Sequence, residues 1–452
     1  MSDSTDKPGR GASKLTDVLY GGALLLGLPW IIAKRIRKPD SFFELNQKFG
    51  HTPPRPDAPR ILIHAVSVGE ALGIKPLVER LKAINPANGE IVVSTTTKTG
   101  KEVAETAYGA DRVVRFPLDF SWMVKRFLDR VQPDVVLLME LEIWPNFVAE
   151  CRARAIPVIV VNGRLTERAF NRYKKVNCLV RRAFADVILT LAQDDLVASR
   201  FKSLGAPDAA VQVAGSLKLD NLDFNDDAES ARTMRETLGI APSSPVIVAG
   251  SIHPGEDRIV IDCYRRLLET HPSLCLVVVP RHPPRVPEMA ETFKAAGFDS
   301  FLYSQRTDGQ PAAPRSVRII DVVGILKTTY RIANIAVIGG SFIPHGGQNF
   351  LEPLAFGIPV ASGLSLFNFQ GAADLLAADG LPARCEDSDA LVRVLSQWLS
   401  DPESARLLGQ RGKERLRSAQ GALEKTMTAL KPFLDKHEWT GQKSEASVEN
   451  PS

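Results

Sequence analysis

Cysteine is scarce, with five in 452 residues, at Cys151, Cys178, Cys263, Cys275 and Cys385, and no CxxC or CxxH spacing among them. That excludes the usual zinc frameworks and a disulfide scaffold, and it fits a reducing compartment. An excess of charge of one sign is also missing. A formal net charge of +4 is too small for a general nucleic-acid binder of this length. Neither the G-x-G-x-x-G nor the G-x-x-x-x-G-K-[ST] pattern occurs, so the usual dinucleotide and P-loop signatures are absent. No tandem repeat is visible.

What is present is an ordinary globular composition, 44% apolar and 24% charged. The chain is too long for one compact core, so two domains of roughly 200 residues each are expected. Residues 1–13 are polar and read as disordered. Val18 to Ala33 is almost wholly apolar and is followed at once by Lys34, Arg35, Arg37 and Lys38. This run is slightly short of the ~20 residues that span a bilayer, and it contains Pro29. A cleaved signal peptide fits poorly, because no small-residue cleavage site precedes the basic cluster. A short anchor, an apolar helix lying in the membrane interface and an ordinary buried helix remain open. Apolar residues ring the segment rather than forming one stripe, which favours a membrane-associating helix. The basic cluster would keep the body cytoplasmic and attract anionic headgroups.

After residue 59 the chain alternates strands and helices. Strand-like runs are Ile61–Val66, Glu90–Thr97, Val113–Leu118, Asp134–Glu140, Val158–Gly163, Val187–Ala192 and Val211–Leu217. Amphipathic stretches such as Trp122–Val131 and the basic Ala169–Phe184 lie between them. Near-continuous apolar strands separated by helices imply a parallel sheet covered on both faces, with right-handed crossovers. An acidic, polar stretch at Leu219–Ser230 reads as the interdomain linker. A second series follows at Val246–Ser251, Leu274–Pro280, Arg318–Val323, Ile335–Gly340 and Pro359–Gly363, and Ser388 to about His437 is helical. A segment of that length can cross back to the first domain. The expected organisation is a start and membrane-associating helix at 1–40, an acceptor domain at 41–220, a nucleotide domain at 221–420, and a helix end with a polar tail at 421–452. Both main domains are Rossmann-like α/β units, expected to face a central cleft.

Open parallel sheets place ligands outside the carboxyl ends of their strands. Ser67, Gly69 and Glu70 sit at such a strand-to-helix turn. A carboxylate held there is a candidate general base, or simply a helix-capping acid. Glu140 ends an apolar strand, where burial is costly without a partner, and Glu142 follows it. Asn162, Arg164 and Arg168 at the next strand end are candidate partners, and Lys218 follows the seventh strand. In the second half, the turn Gly250–Glu256 and the glycines of Gly339-Gly340-Ser341 and Gly346-Gly347 let backbone N–H groups approach a ligand. The run Asn349 to Glu352 opens a helix, and Glu352 is placed to accept from ribose hydroxyls. Arg281 follows an apolar strand and is suited to fork onto a phosphate, or else to a surface ion pair.

Taken in order, HAVSVGE, STTTKTGKE, ELEIWPN, NGRL, GSLK, GSIHPGE, VPRHP and HGGQNFLEP with FGIPV resemble one family, the 3-deoxy-D-manno-octulosonic acid (Kdo) transferases of lipid A biosynthesis. The similarity runs from about Phe43 to about Ser418. The resemblance implies a GT-B fold and metal-independent, inverting transfer of Kdo from CMP-Kdo to a lipid A precursor, with no cofactor. It further implies action at the cytoplasmic face of the inner membrane, against the membrane surface. By the same resemblance Glu70 is the base, and Glu140 and Lys218 stabilise the transition state. CMP is held by Pro280 and Arg281, by Gly324, Ile325 and Leu326, and by Asn349, Phe350, Leu351 and Glu352. One departure is that the family's usual Met-Gly-Glu-Leu turn reads Val323-Gly324-Ile325-Leu326 here. A backbone contact to cytosine survives that change, and a glutamate side-chain contact does not. Another is that the family's Thr-Glu-Ile reads Leu141-Glu142-Ile143, which leaves Glu140 in place. Two other readings of the twin-domain pattern are a nucleotide-sugar 2-epimerase and a non-catalytic membrane scaffold.

Overall fold

The computed structural model describes residues 16–18, 20, 22, 48–52, 54, 58–85, 89–305, 315–436 and 439. Most of the apolar N-terminal run therefore lies outside the described residues, as does the polar C-terminal tail. Among the described residues no helix is long and apolar enough to cross a membrane. The chain divides into two compact units, Met1–Asn221 with Gly421–Ser452, and Leu222–Gln420.

The first unit is built on β1 (Arg60–His64), β2 (Glu90–Thr95), β3 (Val113–Arg115), β4 (Val135–Met139), β5 (Val158–Gly163), β6 (Leu189–Ala192) and β7 (Val211–Val213). They form one sheet in the order β3-β2-β1-β4-β5-β6-β7, and every pairing is parallel. Successive side chains alternate between faces, and both faces are buried. Leu62, Val92, Val136, Leu138 and Val160 pack with Phe127, Phe147 and Phe184 on one side. Ile61, Ile63, Val93, Leu137 and Ile159 pack with Leu77, Leu81, Leu430 and Leu434 on the other. The last two belong to the helix Ala422–Lys436, which buries Ala422, Thr426, Leu430 and Leu434 at four-residue spacing. Asp220 caps the entry to this helix by accepting from the N–H groups of Gly421 and Leu423. The end of the chain thus returns to the first sheet, and each leucine so buried contributes about 1.5–3 kcal/mol.

The second unit repeats the plan with β8 (Val246–Ile252), β9 (Cys275–Pro280), β10 (Ser300–Leu302), β11 (Val317–Ile319), β12 (Ile335–Ile338), β13 (Val360–Ser362) and β14 (Ala383–Arg384). Its order is β10-β11-β9-β8-β12-β13-β14, again parallel throughout. In each sheet the strand order reverses at the first strand. β1 lies between β2 and β4, and β8 between β9 and β12. The loops leaving those strands flank the position where open α/β sheets bind ligands.

Three details differ from the sequence reading. The basic stretch read as one helix is two, Glu167–Lys175 and Asn177–Asp186, separated at Val176, where φ is −115° and ψ 22°. The β-branched Val176 is a weak helix former at that point. The edge strands β10 and β14 were not expected, having only three and two residues. Several runs also end early. The first strand stops at His64 and the fourth at Met139, which frees the residues beyond them for turns.

Candidate active site

At the carboxyl end of β1 the chain turns at Val66 and Ser67 into the helix Val68–Gly73. Ser67 Oγ accepts from the Glu70 N–H (3.3 Å) and donates to Glu70 Oε1 (2.8 Å), while the Val66 N–H donates to Glu70 Oε2 (2.9 Å). The capping role of Glu70 is therefore real, a variant of the capping box. It also fixes the carboxylate, and two donors leave lone pairs free on both oxygens. Burial holds the Glu70 carboxyl above its ordinary pKa. The Val66 and Ser67 hydrogen bonds oppose that, Glu140 adds to it, and Lys218 opposes it again. The net result is a carboxylate made more basic by its surroundings, as proton abstraction requires.

Glu140 follows β4 directly in a left-handed conformation, φ 54°, and Asn162 near the end of neighbouring β5 is also left-handed, φ 53°. Two non-glycine residues held this way on adjacent strand ends mark a strained, over-determined corner. The corner aims Glu140 at two cations. Lys218 Nζ lies 3.2 Å from its Oε1 and Arg164 Nη1 3.7 Å from its Oε2. Asn162, expected to pair with Glu140, does something else. Its Oδ1 accepts from the Leu217 N–H (3.0 Å) and from Gln193 Nε2 (3.1 Å). That bond anchors the short helix Leu217–Asp220, which presents Lys218 to Glu140. Three strand ends, those of β1, β4 and β7, thus deliver Glu70, Glu140 and Lys218 to one place.

In the second unit the glycine-rich loops behave differently from expectation. Glu256, fully buried, accepts from the N–H groups of His253 (2.9 Å), Gly340 (2.7 Å), Ser341 (3.0 Å) and Phe342 (3.0 Å). Those backbone donors are consumed by an internal carboxylate and are not offered to a phosphate. The glycine of Gly339 has another cause, since a Cβ there would lie 2.1 Å from the Ser251 carbonyl oxygen. Glu256→Ala should strand three buried donors and a partly buried fourth, and lower unfolding stability by about 3–5 kcal/mol. Thermal or urea unfolding would show it, and an unchanged midpoint would refute this reading.

The residues named for CMP lie on loops leaving β9, β11 and β12, which with β8 occupy adjacent positions in the sheet. Pro280 ends β9 and is buried, while the Arg281 side chain is exposed. Gly324, φ +90°, and Ile325 lead into the helix Leu326–Tyr330, and the Ile325 carbonyl accepts from the N–H (2.8 Å) and hydroxyl (2.9 Å) of Thr329. Asn349 stands one residue before the cap, Phe350, of the next helix, Leu351–Ala355. Its Oδ1 accepts from the Leu351 N–H (3.1 Å) and its Nδ2 donates to Glu352 Oε1 (2.9 Å). Phe350 and Leu351 point into the core, so only their backbone is available. Burial raises the Glu352 pKa, and Asn349 and Lys327 oppose it. A feature not anticipated is a trio of imidazoles at the same edge. His345 and His282 lie 4.3 and 6.0 Å from His253, ring centre to ring centre. A separate cavity of about 880 Å³ in this unit, lined by Arg235, Arg331, Phe356, Trp398 and Lys413, opens at the amino ends of the strands and includes none of these residues.

Two units, each built on an open parallel α/β sheet, have the plan shared by GT-B glycosyltransferases and epimerases. A UDP-GlcNAc 2-epimerase from Neisseria meningitidis has a similar fold, with a TM-score of 0.54 at 14% identity over 82% of this chain and all of that one. The family model described as 3-Deoxy-D-manno-octulosonic-acid transferase (kdotransferase) matches residues 44–221. The chain is 36% identical to the 3-deoxy-D-manno-octulosonic acid transferase of Haemophilus influenzae, over 83% of this chain and 88% of that one. It is 32% identical to the enzyme of the same name from Bordetella pertussis, over 94% of this chain and 100% of the other. The chain belongs to the 3-deoxy-D-manno-octulosonic acid transferase family.

Proposed function

We propose that this protein transfers Kdo from CMP-Kdo to a hydroxyl of a lipid A precursor, with inversion at the anomeric carbon. Family membership over most of both chains carries the reaction. The convergence of Glu70, Glu140 and Lys218 on one corner of the first sheet supports the roles.

In this reading Glu70 takes the proton of the acceptor hydroxyl as its oxygen bonds to C2 of Kdo. The bond from C2 to the phosphate oxygen breaks on the opposite face, and CMP leaves with that electron pair. The acceptor thereby gains the sugar, and the proton resides on Glu70 until solvent removes it. Glu140 orients Lys218, whose ammonium stabilises negative charge in the transition state. Arg281, without an ion-pair partner among the described residues, supplies a cation for the nucleotide phosphate. Asn349 and Glu352, tied to one another, serve the ribose, and the Gly324–Leu326 turn serves the base through its backbone.

The acceptor is a lipid, so we place the protein at the cytoplasmic face of the inner membrane. The N-terminal apolar run with its basic flank supports this, as does the helix Glu167–Lys175, with Arg172, Lys174 and Lys175 exposed beside exposed Val176 and Leu179. Charges of this kind near an anionic surface contribute about 1 kcal/mol each. Reversing all three should reduce sedimentation with anionic liposomes by more than tenfold. Unchanged sedimentation would remove this helix from the membrane contact.

A further inference from the structure

Glu142 has no role in the reaction just described, yet it stands in the same corner. The chain leaves β4 at Met139 and doubles back, with the Glu142 N–H donating to the Met139 carbonyl (3.3 Å). Its Oε2 accepts from Trp144 Nε1 (3.0 Å) and lies 3.9 Å from His64 Nε2.

His64 is fully buried at the end of β1, stacked on Phe116 with 3.8 Å between ring centres. Its Nδ1 is 3.2 Å from the Ser94 carbonyl oxygen and 3.0 Å from Ser94 Oγ. The Ser94 hydroxyl suits either tautomer, but the carbonyl oxygen only accepts, which favours the hydrogen on Nδ1 and a bare lone pair on Nε2. Burial pushes the ring's pKa down to about 3, which keeps it neutral. Nε2 is buried and has no hydrogen-bond partner. An orphaned acceptor in the core is costly, and the Glu142 carboxyl, 3.9 Å away, stands a small side-chain rotation short of hydrogen-bond reach of it. An ionised Glu142 would set lone pair against lone pair, whereas a protonated one supplies the missing donor.

The other charged and titratable groups around Glu142 agree. Glu70 faces it from the helix Val68–Gly73 and Glu140 from the end of β4, both negative. Tyr173 faces it from the helix Glu167–Lys175. Lys218 and Arg164 are engaged on Glu140 instead. Burial first, then the Glu70 charge, raise the Glu142 pKa to about 7, with the Trp144 bond opposing and Glu140 adding a smaller rise.

We propose that Glu142 is a positioning residue for Glu70, its protonated carboxyl donating to His64 Nε2 so that only one of the two facing carboxyls is charged during turnover. This rests on the reading of Glu70 as the base. The active form then has Glu70 ionised and Glu142 protonated, and the two titrate as a coupled pair. The wild-type kcat/KM should rise with pH as Glu70 ionises, then fall about tenfold per pH unit once Glu142 loses its proton near neutrality. Glu142→Gln keeps a neutral side chain with an N–H for Nε2. It should retain activity within a few-fold at pH 6 and lose the descending limb near neutrality. Glu142→Leu, which only fills space, should lose at least tenfold at pH 6, and nitrogen NMR should show His64 protonated at Nδ1 in the wild type and in Glu142→Gln. An unchanged descending limb in Glu142→Gln, full activity in Glu142→Leu, or a His64 proton on Nε2 would each overturn the proposal. If Glu70→Gln is inactive while the Glu142→Gln profile matches wild type, this inference alone fails. If Glu70→Gln is active, the base assignment fails first.

Discussion

Glu70→Gln should lower kcat/KM by about 10²–10⁴-fold, the usual range for removal of a general base, while leaving the affinity for CMP within twofold. The amide is chosen over alanine because Glu70 also caps its helix, accepting from the Val66 N–H and the Ser67 hydroxyl. Loss of a cap typically costs about 1 kcal/mol of stability, and alanine would confuse that loss with loss of chemistry. Glutamine retains one oxygen acceptor and the shape, but it does not accept a proton at neutral pH. CMP affinity, read by calorimetry or by a fluorescence titration, is the necessary companion. The residues assigned to the nucleotide all lie in the second unit, so a variant that loses turnover and CMP binding together would point to misfolding rather than to a missing base. A variant with near-normal kcat/KM would remove Glu70 from the proton transfer.

Lys218→Met should reduce kcat by about 10²–10³-fold, the effect expected when a preorganised cation is taken from a developing charge. Its position depends on a chain of contacts, from Asn162 Oδ1 to the Leu217 N–H and from Glu140 Oε1 to Lys218 Nζ. Glu140→Gln should therefore lower kcat in the same direction, because the ammonium loses its anchor. The double variant should cost little more than Lys218→Met alone, since both changes disable one unit and residues in direct contact do not add. Full additivity of the two losses, measured from single-turnover rates, would mean that Glu140 and Lys218 act separately. Arg164 provides a control, since it lies near the same carboxylate at 3.7 Å and is a longer, looser contact.

The strands were legible because nearly all are buried on both faces and read as unbroken apolar runs, as Val158–Gly163 does with every residue buried. The edge strands Ser300–Leu302 and Ala383–Arg384 were not, because half-exposed residues in so short a run leave no period to detect. Glu70 could be found from its place at a strand-to-helix turn. The His64–Glu142 approach could not, since it depends on the register that sets His64 beside Leu138 across β1 and β4 and on the reversal at Glu140. Glu256 was hidden for a similar reason. Its sequence mirrors the first unit, with a Gly-Glu pair opening the helix after the first strand in both halves. Only the fold shows that one carboxylate is saturated by four backbone donors while the other keeps free lone pairs. The same mirror carried a signal that went unused, because two Gly-Glu turns in matching places invite the question of which one is spare for chemistry.

The most direct test incubates the purified protein with CMP-Kdo and a tetraacyl lipid A precursor and weighs the lipid by mass spectrometry, with a donor-only incubation alongside. The expected result is a lipid heavier by whole Kdo units, one CMP released per unit, and both products formed at least about a hundredfold more slowly when Glu70→Gln replaces the wild type. Conversion of the donor without acceptor, or an unchanged lipid mass beside intact donor, would contradict it.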